Sequence, residues 1–243
     1  MENYTEDTYG ERIAGVYDQW YADFEPATIN TLAALAAGGN ALELGIGTGR
    51  VALPLLKLGV HVSGIDASEA MVARLHAKPD GGKIPVTMGN FADVAVQGKY
   101  SLVYVVFNTI FSLLTQEEQI HCFQNVADHL APDGVFVIEA FVPDMTRFVA
   151  DQAIRVVRIE DHTVQMDVSQ HEPDKQLITS QHMLLTEKGN EFFPVRIRYI
   201  WPSEMDLMAR LSGLQLKERW RDWEKNEFTS DSGKHISVYA RIK

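Results

Sequence analysis

The chain has 243 residues, 46% of them apolar and 23% charged, enough for one substantial core that needs neither disulfide nor metal. A net charge of −11, from 33 acidic against 22 basic residues, disfavours nucleic acid and anionic membranes as partners. Cys122 is the only cysteine, which excludes an internal disulfide framework and a cysteine zinc site and favours a reducing, cytoplasmic setting. The opening Met1-Glu2-Asn3-Tyr4-Thr5-Glu6 is acidic where a leader peptide would be basic, and no apolar run approaches the roughly 18 residues of a membrane span.

Predicted elements alternate along the first part of the chain, with no internal repeat. Ala41 to Leu44 reads as a short strand running into glycines, followed by a helix over Val51–Leu58 and a strand over His61–Ile65. Ser68 is placed to cap the next helix, and Pro85–Met88 is a brief strand. Tyr100–Phe107 is β-branched and aromatic, as in a strand covered on both faces. Thr115-Gln116-Glu117-Glu118 has the form of a capping box and starts a helix reaching Leu130; Pro132-Asp133-Gly134 then turns into a strand over Val135–Ile138. This rhythm predicts a doubly wound α/β fold, a parallel sheet with helices on both faces. From Val142 the pattern changes to consecutive strands at Ile154–Ile159, Thr163–Ser169, Leu177–Leu185 and Phe192–Trp201, an antiparallel insertion. Ser203–Leu211 returns to helix, and Gln215–Trp223 and His235–Ile242 close the chain as strands. The expected division is a core with N-terminal helices over 1–141, an inserted β lid over 142–201, and a closing helix with two strands over 202–243.

The segment Glu43-Leu44-Gly45-Ile46-Gly47-Thr48-Gly49-Arg50 lies where the first strand meets the first helix of the sheet. Its alternate glycines permit positive φ and let a ligand lie against backbone amides at a helix N-terminus. Asp66, at the end of the next strand, is placed to accept hydrogen bonds from both hydroxyls of a ribose. Gly47-Thr48-Gly49-Arg50-Val51-Ala52 also satisfies the G-x-G-x-x-A pattern of dinucleotide binders. Glu43 would repel a pyrophosphate there, whereas it suits a ligand bearing an ammonium. S-adenosylmethionine has such a group and a ribose as well. An NAD-dependent oxidoreductase and a non-catalytic, cofactor-sensing protein stand as the alternatives.

On these residues the chain resembles the class I S-adenosylmethionine-dependent methyltransferases. Glu43 to Gly49 is similar to their first motif, Gly64-Ile65-Asp66-Ala67-Ser68-Glu69-Ala70-Met71 to their second, and Gly89-Asn90-Phe91-Ala92-Asp93 to their third, with Asn90 at a position usually acidic. Leu130-Ala131-Pro132-Asp133-Gly134-Val135 resembles their late helix-to-strand turn. The resemblance implies a Rossmann-like, seven-stranded mixed sheet with the last strand antiparallel. It implies a cofactor site of Tyr17, Glu43, Gly45, Gly47, Thr48, Gly49, Arg50, Asp66, Ala67, Met71, Asn90, Phe91, Ala92 and Phe107, with Tyr17 of Tyr17-Asp18-Gln19-Trp20-Tyr21 folding over the cofactor.

After the fourth strand the chain reads Phe107-Asn108-Thr109-Ile110-Phe111, without the proline pair of members that methylate adenine or glutamine amides. The inserted strands resemble the lid of small-molecule N-methyltransferases acting on natural products, such as amino-sugar or toxoflavin-type azapteridine enzymes. A small-molecule acceptor, methylated on nitrogen or less readily oxygen, is therefore expected, with the protein a monomer or homodimer. Glu139 and Asn108 are the candidate catalytic residues, and Tyr9, Tyr21, Phe111, Tyr199 and Trp201 the candidate acceptor contacts. Strand periodicity puts Arg196 and Arg198 together on one face, read as solvated. His162, His171 and His182 share no metal-ligand spacing, no metal is expected, and His182 reads as a structural lid histidine. Cys122 reads as a small buried hydrophobe.

Overall fold

A computed structural model describes residues 3–21 and 25–242; Met1 and Glu2 of the acidic opening lie outside them. Three helices come first: α1 (Thr8–Ile13), α2 (Tyr17–Trp20) and α3 (Pro26–Ala36). The alternating part follows as β1 (Ala41–Leu44), α4 (Ala52–Lys57), β2 (Val62–Asp66), α5 (Glu69–His76), β3 (Val86–Met88), β4 (Tyr100–Val105), α6 (Gln116–His129) and β5 (Leu130–Phe141). Ser68 caps α5 by accepting from the Met71 amide at 3.2 Å. Both halves of the Thr115/Glu118 capping box are formed at the start of α6.

Among the described residues the strands form two sheets. β10 (Leu214–Trp220) and β11 (Lys234–Arg241) complete a seven-stranded sheet of order β10-β11-β5-β4-β1-β2-β3. The pairs from β3 to β5 are parallel, while β11 runs antiparallel to both β5 and β10. The strand of the chain's end is thus the antiparallel member, as the family resemblance implies. One apolar layer, including Ile110, Phe123 and Met205, covers one face, and a second, including Leu32, Leu55 and Trp223, covers the other. That two-sided burial is why β4 reads as a continuous apolar run.

The second sheet has four antiparallel strands in the order β6 (Gln152–Glu160), β7 (Thr163–Glu172), β8 (Leu177–Thr186) and β9 (Gly189–Arg198). α7 (Pro202–Leu211) returns the chain to the first sheet. Two boundaries differ from the sequence reading. β5 begins at Leu130, so Pro132-Asp133-Gly134 lies inside a strand whose register against β4 shifts between Tyr100 and Leu102. Gly134 fits there because a Cβ would come within 2.6 Å of the Tyr100 carbonyl oxygen. β9 ends at Arg198, which takes Tyr199 and Trp201 out of the strand's alternation.

Candidate active site

The carboxyl ends of β1, β2 and β4, the helices α1 and α2, and one face of the second sheet enclose a cavity of about 830 Å³. It lies where the strand order reverses between β1 and β4, the place where open α/β sheets hold their ligands.

The glycine loop forms one end. Gly45, Gly47 and Gly49 have φ of +70°, +54° and +72°, a region that side chains rarely adopt. Gly45 and Gly47 line the cavity, whereas Gly49 serves packing: a Cβ there would meet Leu75 Cδ1 at 2.3 Å. The Gly47 amide donates to Asp66 Oδ2 at 2.6 Å and the Ser68 amide to Asp66 Oδ1 at 2.9 Å, fixing the carboxylate at the cavity wall. Burial raises the Asp66 pKa against the lowering effect of these amides. Glu43 is fully buried, and burial pushes its pKa up to about 8 although the Tyr104 hydroxyl donates to it at 2.9 Å and Arg50 stands nearby.

α2 is clasped onto this loop. Thr48 is buried and its hydroxyl donates to Asp18 at 2.6 Å, and Lys78 bridges Asp18 at 2.8 Å and the Thr48 carbonyl at 2.8 Å. Tyr17 thereby lines the cavity, its pKa raised to about 12 chiefly by burial. Arg50 lies over the Phe107 ring, 4.6 Å from its centroid. Ala67, Met71, Asn90 and Phe91 complete this half; Ala92 lies beneath it, its amide donating to Asn90 Oδ1 at 2.9 Å.

The loop after β4 separates the two halves. Phe107 and Asn108 both take positive φ, +58° and +66°. Glu139 holds that conformation: its Oε2 accepts from the Phe107 amide at 3.1 Å and its Oε1 from Trp223 Nε1 at 3.0 Å. Asn108 Oδ1 in turn accepts from the Phe141 amide at 2.7 Å. The sequence reading of these two as catalytic is corrected in part. Glu139 does not line the cavity and acts on the loop's backbone, and Asn108 lines it with its side-chain oxygen committed to β5.

Of the expected acceptor contacts, Tyr9 and Tyr21 line the cavity, and Tyr21 packs against both Tyr17 and Phe107 at 5.0 and 5.2 Å between centroids. Phe111, Tyr199 and Trp201 do not. Phe111 is fully buried against Phe141, because the turn after Asn108 drives it into the core. Tyr199 is buried with its hydroxyl 3.2 Å from His171 Nε2, and Trp201 caps α7 from outside the strand. The arginine reading is corrected as well: Arg198 is buried, paired with Glu204 at 2.9 Å and bonded to Gln119, and Arg196 borders the cavity.

Sequence reasoning missed the wall supplied by the second sheet. Arg155, Gln165, Asp167, Ser180 and His182 line the cavity there, joined by Arg147 from the preceding turn. Asp167 and His182 stand opposite each other in register, and Asp167 Oδ1 bonds His182 Nδ1. Since a carboxylate only accepts, Nδ1 carries the hydrogen and Nε2 of the neutral ring keeps its lone pair. The Tyr9 ring meets His182 edge-on at 6.2 Å. Period-two alternation records that these residues share a face, not that the face covers a cavity.

A family model described as a methyltransferase domain matches residues 41–134, the stretch that carries the loop, Asp66 and Asn90. The CcbJ methyltransferase of Streptomyces caelestis has the same architecture, with a TM-score of 0.93 and 41% identity over 99% of this chain and 100% of that one. The chain belongs to the S-adenosylmethionine-dependent methyltransferases. This methyltransferase is also 24% identical over 208 residues, 84% of each chain, to the cypemycin N-terminal methyltransferase of a Streptomyces species. It shares its fold, at TM-score 0.69 and 20% identity over 93% of this chain and 97% of that one, with the aminopentose methyltransferase CalS10 of Micromonospora echinaspora, solved with S-adenosylmethionine bound. Its own residues fit that cofactor: glycines without a Cβ at the cavity floor, a carboxylate fixed beside them, and a buried acid within reach of Arg50. Among the described residues no cluster of three metal-ligating side chains occurs and no helix is long and apolar enough to cross a membrane.

Proposed function

We propose that this methyltransferase methylates a nitrogen of a small, polar or heterocyclic natural-product intermediate. The observation that carries the reading is the pairing, in one cavity, of the glycine-loop half with a second half walled by Tyr9, Tyr21, Phe107 and the second sheet. A cavity of about 830 Å³ has room for a cofactor and a modest acceptor and none for a folded macromolecule. The relative named as an N-terminal methyltransferase supports nitrogen as the target.

S-adenosylmethionine supplies an electrophilic methyl on a good leaving group. The protein's own part is to hold, dry and deprotonate. Asp66 and the loop amides fix one ligand, and α1, α2 and the second sheet act as a lid that keeps water from the reacting groups. His182, oriented by Asp167, takes the proton that the acceptor nitrogen releases. Incubation with extracts of the source and cofactor labelled with carbon-13 in its methyl group tests this: a labelled small molecule with an N-methyl carbon resonance is expected, and label on oxygen, carbon or a macromolecule contradicts it. With that acceptor, His182→Asn is expected to lower kcat by about 100-fold with cofactor KM unchanged; an unchanged kcat removes His182 from the mechanism.

A further inference from the structure

The half of the cavity assigned to the acceptor is lined by three arginines, Arg147, Arg155 and Arg196. Arg147 and Arg155 both line it, and among the described residues no carboxylate oxygen lies within 4.0 Å of either guanidinium. In a chain with 33 acidic residues to 22 basic ones, unpaired arginines sharing one cavity are not a consequence of composition.

Asp167 stands directly across from Arg155 in the β6–β7 register. Its Oδ1 is already bonded to His182 on the other side. Asp144, just before Arg147, has its Oδ1 occupied by the Thr146 amide at 2.9 Å and hydroxyl at 2.6 Å. Glu118, also at the cavity, is held in the capping box of α6, and Glu6 borders the cavity without pairing to either arginine. Arg147 is held in place by rings, lying 4.8 Å from the Phe148 centroid and 5.9 Å from that of Phe141. Burial foremost lowers its pKa; Arg155 lowers it further, and Asp144 and Asp167 work against both. The two guanidiniums are therefore close enough to feel each other, and Asp167, whose Oδ1 is bonded to His182, acts on Arg147 and stands across from Arg155.

We propose that Arg147 and Arg155 form a carboxylate subsite, so that the acceptor is an amine that also carries a carboxylate. The inference rests on the reading of this cavity as the acceptor site. A planar carboxylate fits the guanidinium fork with two parallel hydrogen bonds.

Titration calorimetry on the full chain saturated with S-adenosylhomocysteine tests this with 2-naphthoate and 2-naphthamide, probes of one shape that differ in charge, and with 2-naphthyl phosphate as a third arm. The carboxylate is expected to bind at least about 10-fold more tightly than the amide, and the double variant R147Q/R155Q to bring the two within about twofold. Equal affinities in the wild type, a preference that survives the double variant, or tighter binding of the phosphate than of the carboxylate overturns the proposal. Affinity for S-adenosylhomocysteine, expected to stay within about twofold in the variant, reports that the cavity is still folded; if it collapses, the single variants R147Q and R155Q are read by the same comparison. The labelled-methyl product separates the two readings: an N-methylated acceptor without a carboxylate overturns this inference alone, and an acid methylated elsewhere overturns the nitrogen reading alone.

Discussion

Glu43 is an acid whose pKa burial raises against the pull of its neighbours. It is fully buried, it accepts from the Tyr104 hydroxyl, and burial raises its pKa from 4.5 to about 8. Between those values the folded chain holds a proton that the unfolded chain has released, so stability is fully present below 4.5 and is lost as pH rises toward 8. Glu43→Gln is expected to flatten that slope; urea midpoints of the ligand-free protein at several pH values check it, and parallel profiles for the two proteins would show that Glu43 is ionised throughout. The acid, the glycines and Asp66 were legible in the sequence because their chemistry is local: positive φ, a missing Cβ and a strand end are recorded in neighbouring residues. His182 and Asp167 are 15 residues apart, and their bond exists only once β7 and β8 pair in one register. Arg147 and Arg155 were hidden for the same reason.

At the scale of elements, the loop after β4 shows how backbone strain is held for use. Phe107 and Asn108 adopt left-handed conformations, and the Glu139 carboxylate on β5 secures the first of them while anchoring Trp223. Glu139→Ala leaves the Phe107 amide and the Trp223 indole without their acceptor and removes one of the two carboxylates beside Lys234, at an expected cost of about 2–4 kcal/mol read from denaturant unfolding. Acceptor KM is expected to rise more than cofactor KM, because Phe107 packs against Tyr21 at the junction of the two halves. A stable variant with unchanged kinetics would contradict a positioning role. Strands and helices were legible here from burial and capping, whereas strand ends were not. Tyr199 and Trp201 continue the alternation of β9 in sequence, but β9 stops at Arg198 and Tyr199 turns into the core.

Over the whole molecule, the seven-stranded sheet supplies a rigid floor and the four-stranded sheet a wall, and α1 and α2 join them: Glu11 of α1 accepts from Ser68 at 2.8 Å, and Trp20 of α2 packs on Phe193 of β9 at 4.9 Å. Seven strands with the last one antiparallel were legible through the family resemblance, and the placement of the second sheet over the cavity was not, since no local pattern specifies where an insertion docks. A net charge of −11 argued against polyanions, yet it concealed the arginines that line the cavity on this side. The central claim is that the glycine loop and Asp66 form the cofactor half of one shared cavity. Calorimetric titration of S-adenosylhomocysteine into the wild type and Asp66→Ala tests it most directly. Loss of a carboxylate that receives two ribose hydroxyls predicts binding weaker by about 100-fold with the fold intact by circular dichroism; affinities within about twofold of each other would contradict it.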